Sequence, residues 1–159
     1  MTLIFKAKQT IEFIGDSITD CDKDDPAFKP LGNGYVRYVN HLLLTGYPEL
    51  DLSVINKGVS GNRVTDLRSR WKTDVLDINP DWLFIYIGIN DVWRYYEGDR
   101  EEAVDLPEFE NTYRQLIKGA QTNTNTNVRL VSPFLAAKGP EDAFRRKLGP
   151  SQEVIHKLG

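Results

Sequence analysis

The amino-acid sequence predicts an α/β protein built on a parallel sheet. Apolar, β-rich runs alternate with helix-like segments along the chain, and the run "WLFIYIGI" is apolar at every position. A strand that is apolar on both faces is typical of a sheet covered by helices on both sides, and regular alternation of strand and helix is typical of parallel sheets. The 159 residues are one domain's worth, so we expect a single domain over 1–159.

Four strands are predicted, at 10–15, 52–58, 81–88 and 127–133. The helix predicted at 34–46 ends on a glycine, and its apolar stripe consists of Tyr35, Val36, Val39, Leu42 and Leu43. The helix predicted at 105–119 begins with a capping-box pattern of Asp105 and Glu108. Its expected buried face is formed by Phe109, Tyr113, Leu116 and Ile117.

Composition excludes several classes of function. The formal net charge is −3, whereas proteins that bind nucleic acid or an anionic membrane usually carry an excess of positive charge. Cys21 is the only cysteine, so the chain has no internal disulfide, and the N-terminal apolar stretch is too short for a signal peptide. The longest apolar run is too short to cross a bilayer. We therefore expect a soluble, cytoplasmic protein with no nucleic-acid or membrane partner.

Three of the predicted strands end in glycine followed by a short polar group: "GDS", "GVSGN" and "GIND". In open parallel sheets, ligands bind just beyond the carboxyl ends of the strands, so these groups are expected at one place. Ser17 would present a nucleophilic hydroxyl, while the Gly61 N–H and the Asn90 side-chain amide would stabilise an oxyanion. Each residue taken singly is also compatible with a purely structural role, because serine commonly caps helices and the Gly and Asn-Asp groups commonly form turns.

Further residues near these segments are candidates for contact with a substrate, namely Asp16, Arg63 and Trp93. Trp93, with Tyr95 and Tyr96, is compatible with a sugar-stacking wall and equally with a loop core. Arg63 is equally compatible with a surface ion pair. A magnesium site for phosphoryl transfer would need acids such as Asp16, Asp20, Asp22 and Asp91, but these suit caps and turns better. No metal or cofactor is expected.

The sequence resembles the SGNH hydrolases, the family of GDSL-type esterases and lipases, in these motifs. "FIGDSITD", "NKGVSGNRVTDL" and "IGINDVW" resemble its first three blocks, and the wider similarity is to the acetylxylan-esterase-like bacterial branch. The resemblance implies a flavodoxin-like three-layer sandwich with strand order 2-1-3-4. It also implies that Ser17 is the nucleophile and that Gly61 and Asn90 are oxyanion donors. The expected substrate is an acetylated carbohydrate or another short-chain ester.

A catalytic base is not apparent in this sequence. The two histidines, His41 and His156, both fall on helices, on the side facing away from the apolar stripe. The family supplies its Asp-His pair from a D-x-x-H block after a fifth strand, and no such block follows here. We therefore expect a domain that is incomplete at the C-terminus and lacks its last strand and helix.

Three hypotheses about the function remain. The first is a serine esterase whose base lies elsewhere, and the second is an inactive remnant or a carbohydrate- or acyl-binding module. The third, a flavodoxin-like nucleotide binder, is disfavoured because "GDSITD" has too few glycines to cradle phosphate. The absence of a fifth strand would leave the edge of the fourth unpaired, which predicts a homo-oligomer.

Overall fold

The computed structural model describes residues 3–97, 102–133 and 143–159. Its centre is a parallel sheet of four strands in the order β2-β1-β3-β4. These strands are β1 (Thr10–Gly15), β2 (Ser53–Gly58), β3 (Trp82–Tyr86) and β4 (Asn127–Val131). The α/β class predicted from the sequence and the strand order implied by the resemblance to the SGNH hydrolases are both confirmed. The predicted strands at 81–88 and 127–133 extend two residues beyond the observed ends of β3 and β4.

Six helices occur in the described ranges. They are α1 (Ser17–Asp20), α2 (Tyr35–Gly46), α3 (Val64–Trp71), α4 (Ile89–Glu97), α5 (Leu106–Asn123) and α6 (Ala143–Leu158). A 3-10 turn, Pro48–Leu50, precedes β2, and a π-helical turn, Lys72–Leu76, continues α3.

The helices form two layers, one on each face of the sheet. On one face, α2 contributes Val36 and Leu43 to a cluster with Ile11 and Phe13 of β1. On the other face, α3, α5 and α6 pack on a larger cluster that contains Ile14, Leu83, Ile85, Ile87, Phe109 and Ile155. Because side chains of a strand alternate between faces, β1 and β3 need apolar residues at consecutive positions to fill both clusters. The expected three-layer sandwich is therefore present.

The predicted buried face is confirmed for α5 and only partly confirmed for α2. In α5, Phe109, Tyr113, Leu116 and Ile117 are all buried, as predicted, and the Asp105 carboxylate caps the helix by accepting a hydrogen bond of 2.8 Å from the Glu108 N–H. In α2, Val36 and Leu43 are buried, but Leu42 is 70% exposed. The prediction for Leu42 is wrong, because the apolar stripe in contact with the sheet is narrower than the hydrophobic pattern of the sequence.

The strand β4 lies at the end of the sheet and pairs only with β3 within the described residues. A groove of about 650 Å³ runs beside it, between α5 and α6. Its lining combines the apolar side chains of Ile117, Val128, Leu130, Ile155 and Leu158 with the polar residues Gln121, Arg129, Ser132 and His156. Among the described residues the outer edge of β4 is unpaired, which is the arrangement that the sequence predicted for the fourth strand.

One carboxylic acid lies in the core of the sheet. Glu12, in the middle of β1, is fully buried, and neither of its carboxylate oxygens has a hydrogen-bond partner among the described residues. Burial raises the pKa of Glu12 to about 8, an effect that the nearby positive charges of Lys57 and Arg70 only partly oppose. A neutral acid is therefore the favoured form of Glu12 at neutral pH.

No helix in the described ranges is long and apolar enough to cross a membrane.

Candidate active site

The chain turns sharply at the carboxyl end of β1 and places Ser17 at the start of α1. Glycine is required at position 15, because a Cβ there would lie 2.1 Å from the Tyr86 carbonyl oxygen of the neighbouring strand. Asp16 caps α1 by accepting a hydrogen bond of 3.0 Å from the Ile18 N–H. Ser17 itself is exposed, and its hydroxyl makes no hydrogen bond within the described part of the chain.

The loop after β2 is tied directly to this turn. The Val59 N–H donates a hydrogen bond of 3.0 Å to the Gly15 carbonyl. The backbone N–H and the hydroxyl of Ser60 both donate to one carboxylate oxygen of Asp20, at 3.0 and 2.6 Å. Although partial burial opposes it, these bonds and the nearby Lys23 lower the pKa of Asp20, so the carboxylate stays ionised and keeps the loop in place.

Gly61 lies in this loop with a left-handed backbone. Its φ of +82° is a conformation that glycine adopts without steric cost. Its carbonyl accepts a hydrogen bond of 3.2 Å from Arg94 of α4, whose guanidinium also pairs with Glu102. The loop after β2 is therefore held from the side of β3 as well as from the side of β1.

Asn90 lies in the first turn of α4, just after β3, and is buried. Its side-chain amide donates a hydrogen bond of 2.9 Å to the backbone carbonyl of Asn62, the residue after Gly61. A carboxamide has two N–H groups, so this bond leaves the second available to a ligand. The structure thus connects two of the three predicted site segments through one hydrogen bond.

Asp91 plays a part that the sequence did not reveal. It was expected to serve in a cap or a turn, and its carboxylate does accept hydrogen bonds from the N–H of Val64, the first residue of the distant helix α3, at 3.1 and 3.3 Å. Burial raises the pKa of Asp91 to about 7, which the Val64 hydrogen bond and the charge of Arg63 partly oppose. Asp91, which lies on α4, therefore caps the N-terminus of α3 and fixes the point at which the loop containing Gly61 ends.

The three secondary candidates have different surroundings. Asp16 is 1% exposed, and burial raises its pKa to about 6. Arg63 is engaged within the chain, by an ion pair of 2.9 Å with Asp66 and a hydrogen bond of 2.6 Å to the Glu102 carbonyl. Trp93 is 55% exposed on α4. A contact of each residue with substrate stays a prediction.

Both histidines lie on helices and are exposed. His41 is exposed on α2. His156 is exposed in the last turn of α6, where it lines the groove beside β4. The strand β3 separates β4, beside which His156 lies, from β1, the strand that leads to Ser17. Within the described ranges, no group of three or more His, Cys, Asp or Glu is arranged to hold a metal ion.

The fold and these residues define a class: a three-layer α/β protein whose exposed serine, positive-φ glycine and buried asparagine follow three neighbouring parallel strands. Residues 13–158 match the model of the GDSL-like lipase/acylhydrolase family. The chain belongs to this family, which makes it a carboxylic ester hydrolase by descent.

Individual relatives agree with this assignment. The chain is 43% identical to an acetylxylan esterase of Geobacillus stearothermophilus over 152 residues, which are 92% of this chain and 69% of that enzyme. A crystal structure of an acetylxylan esterase from the same organism superimposes with a TM-score of 0.90 at 41% identity, over 98% of this chain and 74% of that one. Catalytic mutants of that enzyme, with a serine, an aspartate or a histidine replaced by alanine, match equally well. An alpha/beta hydrolase from the metagenome of Lake Arreo, Spain, has a TM-score of 0.88 at 34% identity, over 97% of this chain and 73% of that one.

Proposed function

We propose that this chain carries the nucleophile and the oxyanion-binding groups of a serine esterase that removes acetyl or other short acyl groups, with acetylated carbohydrate as the preferred substrate. The observation that carries the proposal is the hydrogen bond between the Asn90 amide and the Asn62 carbonyl, which joins the third strand end to the loop of Gly61. The similarity to an acetylxylan esterase supports the choice of substrate.

In this proposal, each residue has one role in the reaction. The Ser17 oxygen attacks the ester carbonyl carbon, and the Gly61 N–H and the free N–H of Asn90 stabilise the negative charge that develops on the carbonyl oxygen. The tetrahedral intermediate collapses, the alcohol leaves with the proton that the base took from Ser17, and the acyl group remains on Ser17. Attack by water on this acyl-enzyme releases the acid and regenerates the hydroxyl.

The base that takes the Ser17 proton does not come from His41 or His156 in this proposal. We assign it to an Asp-His pair in a further segment, as the resemblance to the SGNH hydrolases implies. The match to the Geobacillus structure leaves about a quarter of that enzyme uncovered, and its catalytic mutants include changes of an aspartate and a histidine. The open edge of β4 and the groove beside it offer the place where such a segment docks as a fifth strand.

A second candidate function is binding of carbohydrate or acyl groups without turnover. It is favoured by one observation: the described residues place no histidine at the end of β1, β2 or β3. The exposed rings of Trp93, Tyr95 and Tyr96 provide surfaces on which a sugar can stack.

The decisive experiment compares hydrolysis of an aryl acetate by the 159-residue chain with hydrolysis after the missing segment has been supplied. The segment is the part of the Geobacillus acetylxylan esterase that this chain does not match, either fused or added in trans. Loss of the base in a serine protease lowers kcat by about 10⁶-fold, so we expect trace activity from the chain alone and a gain of several orders of magnitude with the segment.

The variant Ser17→Ala should abolish the restored activity and change the trace activity little. Ser69→Ala, an exposed serine on α3, is the matched control and should retain the restored activity. Strong hydrolysis by the chain alone that requires Ser17 would show that the base has been assigned wrongly. Binding of acetylated xylo-oligosaccharides without turnover, with or without the segment, would support the binding module instead. Comparing these sugars with longer acyl esters then defines the substrate.

A further inference from the structure

A single arginine side chain joins the ends of two strands to the loop that contains Gly61. Arg70 lies near the end of α3, and its guanidinium donates to the Gly15 carbonyl of β1 at 3.2 Å and to the Lys57 carbonyl of β2 at 2.9 Å. Its Nε donates to the side-chain oxygen of Asn62 at 2.9 Å. These three acceptors belong to segments up to 55 residues away from Arg70 in the sequence.

The guanidinium is itself held in a fixed orientation. Its Nη1 pairs with Asp74 at 2.7 Å, and Asp74 also pairs with the Lys57 ammonium at 3.2 Å. Although partial burial opposes it, the hydrogen bonds from Arg70 and Lys57 lower the pKa of Asp74, so the carboxylate stays ionised. The side chain of Arg70 is only 17% exposed, which limits the competition of water for its donors.

Asn62 connects this guanidinium to the candidate oxyanion donors. Its side chain accepts from Arg70, and its backbone carbonyl accepts from the Asn90 amide at 2.9 Å. Gly61 is the residue before it, and Gly15 is two residues before Ser17 in the chain. The contacts of Arg70 therefore lead to the backbone beside all three candidate site residues.

We propose that Arg70 is a positioning residue, which acts through Gly15 and Asn62 to set the spacing of Ser17 relative to Gly61 and Asn90. The proposal rests on the roles proposed above for these three residues. A guanidinium has five N–H donors in a rigid planar fork, whereas a lysine ammonium is a single point of donation. Lysine at this position retains the pairing with Asp74 but cannot also reach acceptors on β1, on β2 and in the loop.

The first test uses NMR of the chain itself and needs no turnover. In Arg70→Lys, we expect changed signals for the Gly61 backbone amide, the Ser17 backbone amide and the Asn90 side-chain amide, with signals of distant core residues unchanged. Arg68→Lys is the matched control, because Arg68 is exposed on the same helix, and it should leave the three signals as in the wild type. If Arg70→Lys also leaves them unchanged, the proposal is wrong.

A second variant covers the case in which Arg70→Lys fails to fold. Asn62→Ala removes the side-chain acceptor of Arg70 but keeps the backbone carbonyl that Asn90 contacts. A changed Asn90 side-chain signal in this variant supports the proposal, because the contact between Arg70 and Asn62 is then needed to place that carbonyl. An unchanged signal overturns it.

The kinetic readout separates positioning from a general loss of stability. In the chain supplied with the missing segment, Arg70→Lys should lower kcat by up to about 10²-fold with little change in KM, because a displacement of 1 Å within a site can cost that much. A fall in activity that follows the melting temperature alone contradicts the proposal. Failure of the proposed function has a different signature: Ser17→Ala then retains activity, whatever the NMR signals of Arg70→Lys show.

Discussion

Gly58 lies directly against the backbone of Asp20. A Cβ at Gly58 would be 2.1 Å from the Asp20 nitrogen, a separation that real Cβ atoms do not adopt. This contact brings the end of β2 against the end of α1, the helix that begins at Ser17. The absence of a side chain at position 58 thus determines how closely the nucleophile's helix approaches the strand that leads to Gly61.

Gly58→Ala should therefore destabilise the protein. Because the obstructing atom is backbone and not the flexible end of a side chain, we expect a loss of about 1–3 kcal/mol or more in the free energy of unfolding. Gly46→Ala is the control, since no atom lies within 4 Å of a Cβ at that helical position. Alanine favours helix over glycine by about 1 kcal/mol, so Gly46→Ala should be neutral or stabilising. Chemical denaturation measures both, and equal effects would contradict the close packing of α1 on β2.

Asn90→Ala tests the oxyanion role proposed for the side-chain amide. In the chain supplied with the missing segment, loss of one oxyanion donor should lower the Ser17-dependent rate by about 10²–10³-fold. Asn111→Ala, at an exposed position of α5, is the matched control and should retain full activity. A rate for Asn90→Ala within a few-fold of the wild type would remove Asn90 from the mechanism.

Local sequence patterns were sufficient to predict the four strands and the parallel sheet, whereas the order of the strands came from the resemblance to the SGNH hydrolases. The strand Thr10–Gly15 agrees with its predicted bounds, because an apolar run ends there on a glycine that turns the chain. The third strand was predicted too long because Tyr86 is the last residue of β3 to pair with its neighbours, Gly15 and Val131. Where a strand ends depends on its partners, and a periodic pattern carries no information about them.

The candidate site could be predicted in part for the same reason. Ser17, Gly61 and Asn90 follow strand ends, so short local motifs were enough to find them. The contacts that hold them were not predicted, because each joins residues far apart in sequence. Asp91 caps a helix that starts 27 residues earlier, and Arg94 reaches Gly61 across 33 residues.

The edge of β4 leads to a prediction about self-association. Val128 and Leu130 are only half-buried and line the groove beside β4, whose outer edge is unpaired among the described residues, so we expect the chain to form oligomers through this edge. Leu130→Lys should lower the average mass measured by light scattering at high concentration, because a charge on an edge strand disfavours pairing. Leu42→Lys, at an exposed position of α2, should not change it. A wild-type chain that is monomeric at high concentration would refute the prediction.

The buried Glu12 predicts a stability that falls as pH rises. The pKa of Glu12 is about 8 in the folded protein and has its ordinary value of 4.5 in the unfolded chain, so the folded state binds its proton more tightly. The free-energy cost of burying the charged carboxylate is therefore absent at pH values below the pKa of the unfolded chain. It grows as pH rises from about 4.5 and is complete above about 8. Since one pKa unit corresponds to about 1.4 kcal/mol, the full effect is several kcal/mol.

Glu12→Gln tests this dependence, because glutamine has nearly the same shape and does not ionise. At pH 4 the two proteins should have similar free energies of unfolding, and between pH 5 and 9 the wild type should become progressively less stable than the variant. The other raised pKa values, those of Asp16 and Asp91, are common to both proteins and cancel in the difference. Glu49→Gln, at an exposed position before β2, should leave the pH profile unchanged. If the difference in free energy of unfolding between the wild type and Glu12→Gln stays constant with pH, Glu12 has the same pKa in the folded and unfolded states, and the prediction is wrong.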